Sequence, residues 1–154
     1  MEESPLAKQV ADELKGLITA SVNSIRDGKY QDAHQYLSHA LSLTEMIEYH
    51  AGTAMVLYNF ANLQAISGEK PAALETAALA LEKAQLFRSD IPSCQKLVRQ
   101  LFLEVQKNGA DCIRNKDYRG ALSCFETALK HAPEEKRALL ERQITLLRGV
   151  LDGR

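Results

Sequence analysis

The sequence predicts an all-α fold, and three observations carry that prediction. The first is the stretch Asp117-Tyr118-Arg119-Gly120-Ala121-Leu122-Ser123-Cys124-Phe125-Glu126-Thr127-Ala128-Leu129, closed by Pro133. Tyr118, Ala121, Phe125 and Ala128 fall at 3, 4 and 3 residue steps, one face of a helix. The second is that the phrase returns twice upstream, as Tyr30-Gln31-Asp32-Ala33 running to Leu37 and Ala40-Leu41, and as Lys70-Pro71-Ala72-Ala73 running to Ala77 and Ala80-Leu81. Large side chains alternating with methyl-sized ones let a neighbouring helix come close, and recurrence of the unit marks a repeat protein. The third is punctuation: Gly28, Gly68, Pro71, Pro92 and Pro133 sit at the ends of periodic stretches, and no stretch reads as a strand.

About seven helices follow in order. Ser4 before Pro5 supplies an N-cap and a first-turn proline, and Leu6, Val10, Leu14, Leu17, Val22 and Ile25 carry an apolar stripe to Asp27. Gly28 ends that helix by tolerating a left-handed backbone. Tyr30 opens a second helix through Ala33, Leu37, Ala40 and Leu41 to about Leu43. A third begins between Ser42 and Ile47 and runs to Ser67, interrupted by Gly52 and stopped by Gly68. Pro71 lies in the first turn of a fourth, which continues through Leu74, Leu79, Leu81 and Leu86. Ser89-Asp90-Ile91-Pro92 is the clearest break, a cap and an N1 proline. The fifth helix runs from Pro92 to Asn115 on Cys94, Val98, Leu101, Val105, Gly109 and Cys112. The opening phrase is the sixth. Pro133-Glu134-Glu135 starts the seventh, its acids placed at the positive end of the dipole.

Composition narrows the class. With 154 residues, 45% hydrophobic and 25% charged, the chain forms one compact unit with a real core. Apolar runs are too short to cross a membrane, and Met-Glu-Glu-Ser-Pro lacks the order of a secretion signal. Cys94, Cys112 and Cys124 are odd in number and without metal-type spacing, so a cytoplasmic location is expected. Net charge is −1, but residues 31–90 hold three bases against seven acids, and 91–132 seven bases against four acids. An enzyme is not indicated: there is no carboxylate pair, nucleophile elbow or Gly-rich phosphate loop, and no cofactor is expected. His34 and His39 are five apart and share no helix face, which argues against a metal pair. Nucleic acid is disfavoured by the charge balance and by the lack of aromatics among the basic residues.

The paired helices resemble the tetratricopeptide repeat, a helix-turn-helix unit of about 34 residues. On that frame the repeats cover 14–47, 54–87 and 102–135. Leu57-Tyr58-Asn59-Phe60-Ala61-Asn62 is similar to the family's Trp-Tyr-Asn-Leu-Gly-Asn, and Gly68 stands at its inter-helix glycine. Gly109 occupies the small position where paired helices touch. The first repeat is the most degenerate, with Ala20-Ser21 in the large-then-small place. The frames are offset by 40 and 48 residues, which implies N-terminal extensions of the third and fifth helices, and Lys116 replaces the turn glycine of the third repeat.

The resemblance implies a right-handed α-solenoid over residues 1–154, with first helices lining a concave groove and a C-terminal helix, 133–152, closing the end. Leu139, Leu140, Ile144, Leu147 and Leu151 form that lid. Leu146 and Val150 widen its stripe, so it reads either as a cap on the fifth and sixth helices or as a self-association surface. The groove floor implied by the family comprises Ile18, Val22, Ile25 and Arg26 on the first helix. The third adds Met55, Tyr58, Asn59, Asn62 and Ile66, and the fifth Leu103, Gln106, Lys107, Ala110 and Arg114. Asparagine amides can grip a peptide backbone whatever its sequence, or can tie neighbouring helices together. Lys96, Arg99, Lys107 and Arg114 form a basic stripe, either a solvated face or a landing site for acidic side chains. One subgroup of the family clamps chaperone C-termini. Asn59 and Lys107 match that clamp, but Ile18, Val22 and Leu103 stand where it needs Lys, Asn and Lys. The expected function is non-enzymatic: a partner protein's segment, extended or helical and acidic at one end, held in the groove. The alternative is a structural subunit that joins a complex, or a second copy, through its convex face or C-terminal helix.

Overall fold

The structure is a computed structural model that describes residues 5–88 and 90–153. The described residues form seven helices and no strand: α1 (Pro5–Arg26), α2 (Tyr30–Met46), α3 (His50–Ile66), α4 (Lys70–Phe87), α5 (Ile91–Arg114), α6 (Tyr118–Lys130) and α7 (Glu134–Leu151). Each packs on the next in sequence, the arrangement of a helical-repeat solenoid, and contacts also join α1 to α3 and α4 to α6. Ser4 and Ser89, expected to cap α1 and the turn before α5, lie outside the described residues.

The second helix of each hairpin sets the spacing. Ala33, Leu37 and Ala40 on α2, Ala73, Ala77 and Ala80 on α4, and Ala121, Phe125 and Ala128 on α6 are all buried. On α4 this line of alanines, with Leu74, forms the buried face, while Leu79 and Leu86 are exposed and Leu81 half-buried, contrary to the leucine stripe expected there. A methyl group admits a neighbouring backbone closely, whereas a leucine would hold it away. The same correction applies to α1, where Leu14, Ser21 and Ser24 are buried and Leu6 (69% exposed) and Val22 face out. Ser21 sits inside because its hydroxyl donates to the Ile18 carbonyl at 2.7 Å. On α5, Leu97 and Phe102 are buried, and Val98 and Cys112 only partly so. Gly109 faces Phe125, and a Cβ there would lie 2.9 Å from the ring.

Four turns share one geometry. At Gly28, Glu48, Gly68 and Lys116 the backbone is left-handed, with φ of 75°, 54°, 88° and 61°. At each, the next residue donates its N–H five residues back: Lys29 to Ser24, Tyr49 to Thr44, Glu69 to Gln64 and Asp117 to Cys112, all at 2.8 Å. This is the Schellman motif, which satisfies carbonyls left over at a helix end. The third helix therefore starts at His50, not between Ser42 and Ile47, and α2 continues past Leu43 to Met46. Glu48 holds the turn residue's place without being glycine. Gly52 is required on α3 because a side chain there would run into the Tyr49 ring. Before α5, Asp90 occupies the cap position with φ 47° and makes no side-chain capping bond.

At the end of the array α7 buries Leu140, Ile144 and Leu147 in the cluster that also contains Ala121, Cys124, Phe125 and Ala128. Leu139 and Leu151, expected in that stripe, are exposed, as are Leu146 and Val150. Arg137 donates to the Leu129 carbonyl at 3.1 Å, tying α7 to the frayed end of α6.

Replacing Lys116 by Gly removes a left-handed penalty of ~1–2 kcal/mol and adds ~0.5–1 kcal/mol of backbone entropy cost. Urea unfolding should show Lys116→Gly more stable by about 0.5–1 kcal/mol. Gly109→Ala should lose about 1–2 kcal/mol, since the buried Phe125 ring has nowhere to move.

Candidate functional site

The middle helix, α3, is apolar on nearly every side because it is surrounded. Gly52, Thr53, Ala54, Val56, Leu57, Ala61 and Leu63 are buried, toward α2, α4 and the flanking first helices. What it leaves outward is a narrow stripe: Met55 (46% exposed) and Ile66 (52% exposed), with Asn59 and Asn62 half-buried between them and Tyr58 half-buried beside them. Their spacing of 3 and 4 residues puts them on one face.

Shallow recesses run from this stripe toward both neighbours. Toward α1, Met55 and Tyr49 meet Leu14, Lys15, Ile18 and Thr19 around a space of about 350 Å³. Toward the start of α5, Met55 and Tyr58 meet Asp90 and Cys94. Further along, Asn62, Ala65 and Ile66 face Leu97, Gln100, Leu101 and Glu104. Lys107 borders the next recess, of about 270 Å³, with Lys70, Glu104, Asn108 and Asp111. The structure thus brings Tyr58, Asn62, Ile66 and Lys107 into one string of recesses. Val22, Arg26, Leu103 and Arg114 are exposed on α1 and α5 but border none of these spaces. Leu103 (56% exposed) instead lines a larger recess at the α6–α7 turn.

Two polar details revise the expected chemistry. The Asn59 amide donates to the Met55 carbonyl at 2.9 Å, within its own helix, so it does not tie neighbouring helices together. One member of the basic stripe of α5 is answered within the protein, Arg114 by Asp111, while Glu104 pairs with Lys70 of α4 at 3.2 Å in the recess that Lys107 borders. Lys15, Thr19, Gln100 and Glu104 escaped the sequence reading. Lys15 and Glu104 are exposed or half-exposed polar residues of ordinary type, and only the packing of α1 and α5 beside α3 brings each of them to a recess.

Among the described residues no group of three His, Cys, Asp or Glu side chains is arranged to hold a metal. No helix of the described residues is long and apolar enough to cross a membrane. The histidines are occupied otherwise: His34 meets the Phe60 ring edge-on, His50 stacks on Phe87 at 4.3 Å, and His39 lies 3.7 Å from Glu13. Cys112 and Cys124 come together across α5 and α6, and Asn108 donates to the Cys124 sulfur at 3.5 Å. Burial chiefly pushes the Cys124 thiol up to about 11, so it stays protonated and acts as a small apolar group.

His131, at the end of α6, lies where burial lowers its pKa; nearby Glu75 opposes this and Lys130 adds to it. The unfolded chain, with a histidine near the ordinary 6.5, takes up a proton first as pH falls. The contribution to stability is therefore full above that value and is lost as pH drops through it toward the lower folded value. Melting temperature should fall more between pH 7.5 and 5 in the natural chain than in His131→Gln; parallel curves would remove His131 as the cause.

No protein-family model matches the chain, and no solved structure matches it. It is 28% identical over 151 residues to the regulatory protein RapG of Bacillus subtilis strain 168. That similarity takes in 97% of this chain and 38% of the relative, so the chain spans well under half of the curated protein it matches. Similarity along nearly the whole of an all-helical array relates this chain to a regulatory protein.

Proposed function

We propose that this chain is a tetratricopeptide-like interaction module, without catalytic activity, that holds a segment of a partner protein across α1, α3 and α5. The observation that carries the reading is the outward stripe of α3. A helix buried on its other sides keeps Met55, Asn59, Asn62 and Ile66 accessible, and recesses open from it on both flanks. Apolar side chains there offer contact area, while the Asn59 oxygen and the Asn62 amide pair with a peptide backbone independently of sequence. The segment's acidic end lies toward α5, where Lys96 and Lys107 are exposed. Likeness to a regulatory protein supports a role exerted through binding, and three reduced cysteines fit the cytoplasm.

A second reading has its own observation. Leu139, Leu146 and Val150 share a face of α7 beside the buried Leu140, Ile144 and Leu147, and form an exposed apolar stripe of the kind that joins subunits. Deleting α7 would strip core residues, so the discriminating variant is Leu146→Lys, at an exposed site. Light scattering should give the same mass for it and the natural chain; a drop to half in the variant would favour assembly through α7.

The groove reading is tested by partner capture. Asn59→Ala with Asn62→Ala should abolish retention of proteins that the natural chain captures, with an unchanged circular dichroism spectrum. Full retention would move the site off this face. Lys107→Glu should weaken the same complex by about tenfold and flatten its salt dependence.

A further inference from the structure

A recess of about 480 Å³, larger than those along α3, lies not between the first helices but at the corner where α5 meets the α6–α7 turn. Val98, Phe102 and Leu103 of α5 and Pro133 of the turn give it an apolar lining. Arg99 and Lys136 stand on its rim with one acid, Glu135, leaving a surplus of one positive charge. We propose that this recess seats a single large apolar side chain of the partner segment, phenylalanine, leucine or methionine, and that a carboxylate one or two residues away on that segment pairs with Arg99 and Lys136. The inference rests on the groove reading and names the chemistry of the segment.

Four features argue for that occupant. The volume lies within the ~300–1,000 Å³ of pockets that bury apolar ligand groups. Lys136 Nζ sits 5.4 Å from the Phe102 ring centroid, so the ammonium is already held at the mouth rather than free in solvent. A carboxylate there meets a cation whose position is fixed, which lowers the entropy lost on pairing. Leu103 also belongs to the exposed ridge of α5 that carries Lys96 and Lys107, so a segment lying along α5 reaches the recess without leaving that ridge. His131 closes the wall as a ring that burial keeps neutral, adding no charge to the apolar space.

The probe is a positional-scanning library of N-acetylated, C-amidated octapeptides on the immobilised full chain, blocked so that terminal charges do not contribute. Selected sequences should place Phe, Leu or Met one or two residues from Asp or Glu. The best peptide, measured by fluorescence anisotropy, should bind about tenfold more weakly to Arg99→Glu with Lys136→Glu. On the natural chain, the methyl resonances of Val98 and Leu103 should shift as the peptide is added, a readout that needs no variant. Peptides that leave those methyls unmoved and bind the double variant normally, yet are lost on Asn59→Ala with Asn62→Ala, would overturn the recess and leave the groove standing. A library without a binder would overturn both. Self-association of the natural chain that disappears in the Arg99→Glu, Lys136→Glu variant would give the recess to a second copy and overturn the partner segment.

Discussion

Close approach of helices at methyl-sized positions is the constraint on which the rest of this structure depends. Ala33 and Ala40, Ala73, Ala77 and Ala80, and Ala121 and Ala128 are buried at equivalent places on the second helices, and Gly109 gives its neighbour the same intimacy from the other side. A leucine at any of them would add volume where no rotamer accommodates it, and overpacking costs ~1–3 kcal/mol at a single site. Larger side chains fill the space beside the close contact: Leu37 on α2, Leu74 on α4 and Phe125 on α6. Because this lock is made between neighbours in sequence, the array can be built hairpin by hairpin. It leaves the outward face of α3 without a covering helix.

The turns fix how far apart those locks fall. Left-handed residues at Gly28, Glu48 and Gly68 recur every 20 residues, one helix and one turn each, which gives the 40-residue offset of the first two hairpins. The longer step to the next hairpin comes from α5, whose 24 residues exceed α3 by seven, and from α4, whose 18 residues exceed α2 by one. Two of the four Schellman positions carry side chains with no steric licence for that backbone, Glu48 and Lys116. The carbonyls they help to satisfy outweigh the local penalty.

Helix number, helix order and the alanine phrase could be read directly from the sequence, because spacing and punctuation are local. The α2–α3 boundary could not be, since Glu48 does at that turn what glycine does at the others, and Gly52, which looked like a break, is a packing contact with Tyr49. Which residues of a stripe face inward was legible only where size alternates. On α4 the alanines of the repeated phrase, with Leu74, are the core, while Leu79 and Leu86 are exposed. On the candidate face, Tyr58, Asn62, Ile66 and Lys107 border recesses that join adjacent helices, while Val22, Arg26 and Arg114 border none of these. The pairing of Arg114 with Asp111 and the recess at the α6–α7 turn depend on side-chain directions and turn geometry that no spacing encodes.

The proposed function rests on the outward face of α3, which presents amides, a thioether and an aliphatic tip beside shallow recesses. The most direct measurement is photo-crosslinking from a photoreactive phenylalanine placed at Ile66, on the outward stripe of α3, compared with one at Leu79 on the exposed side of α4. The account predicts that captured partner becomes covalently attached from Ile66 and not from Leu79. Attachment from Leu79 alone would contradict it.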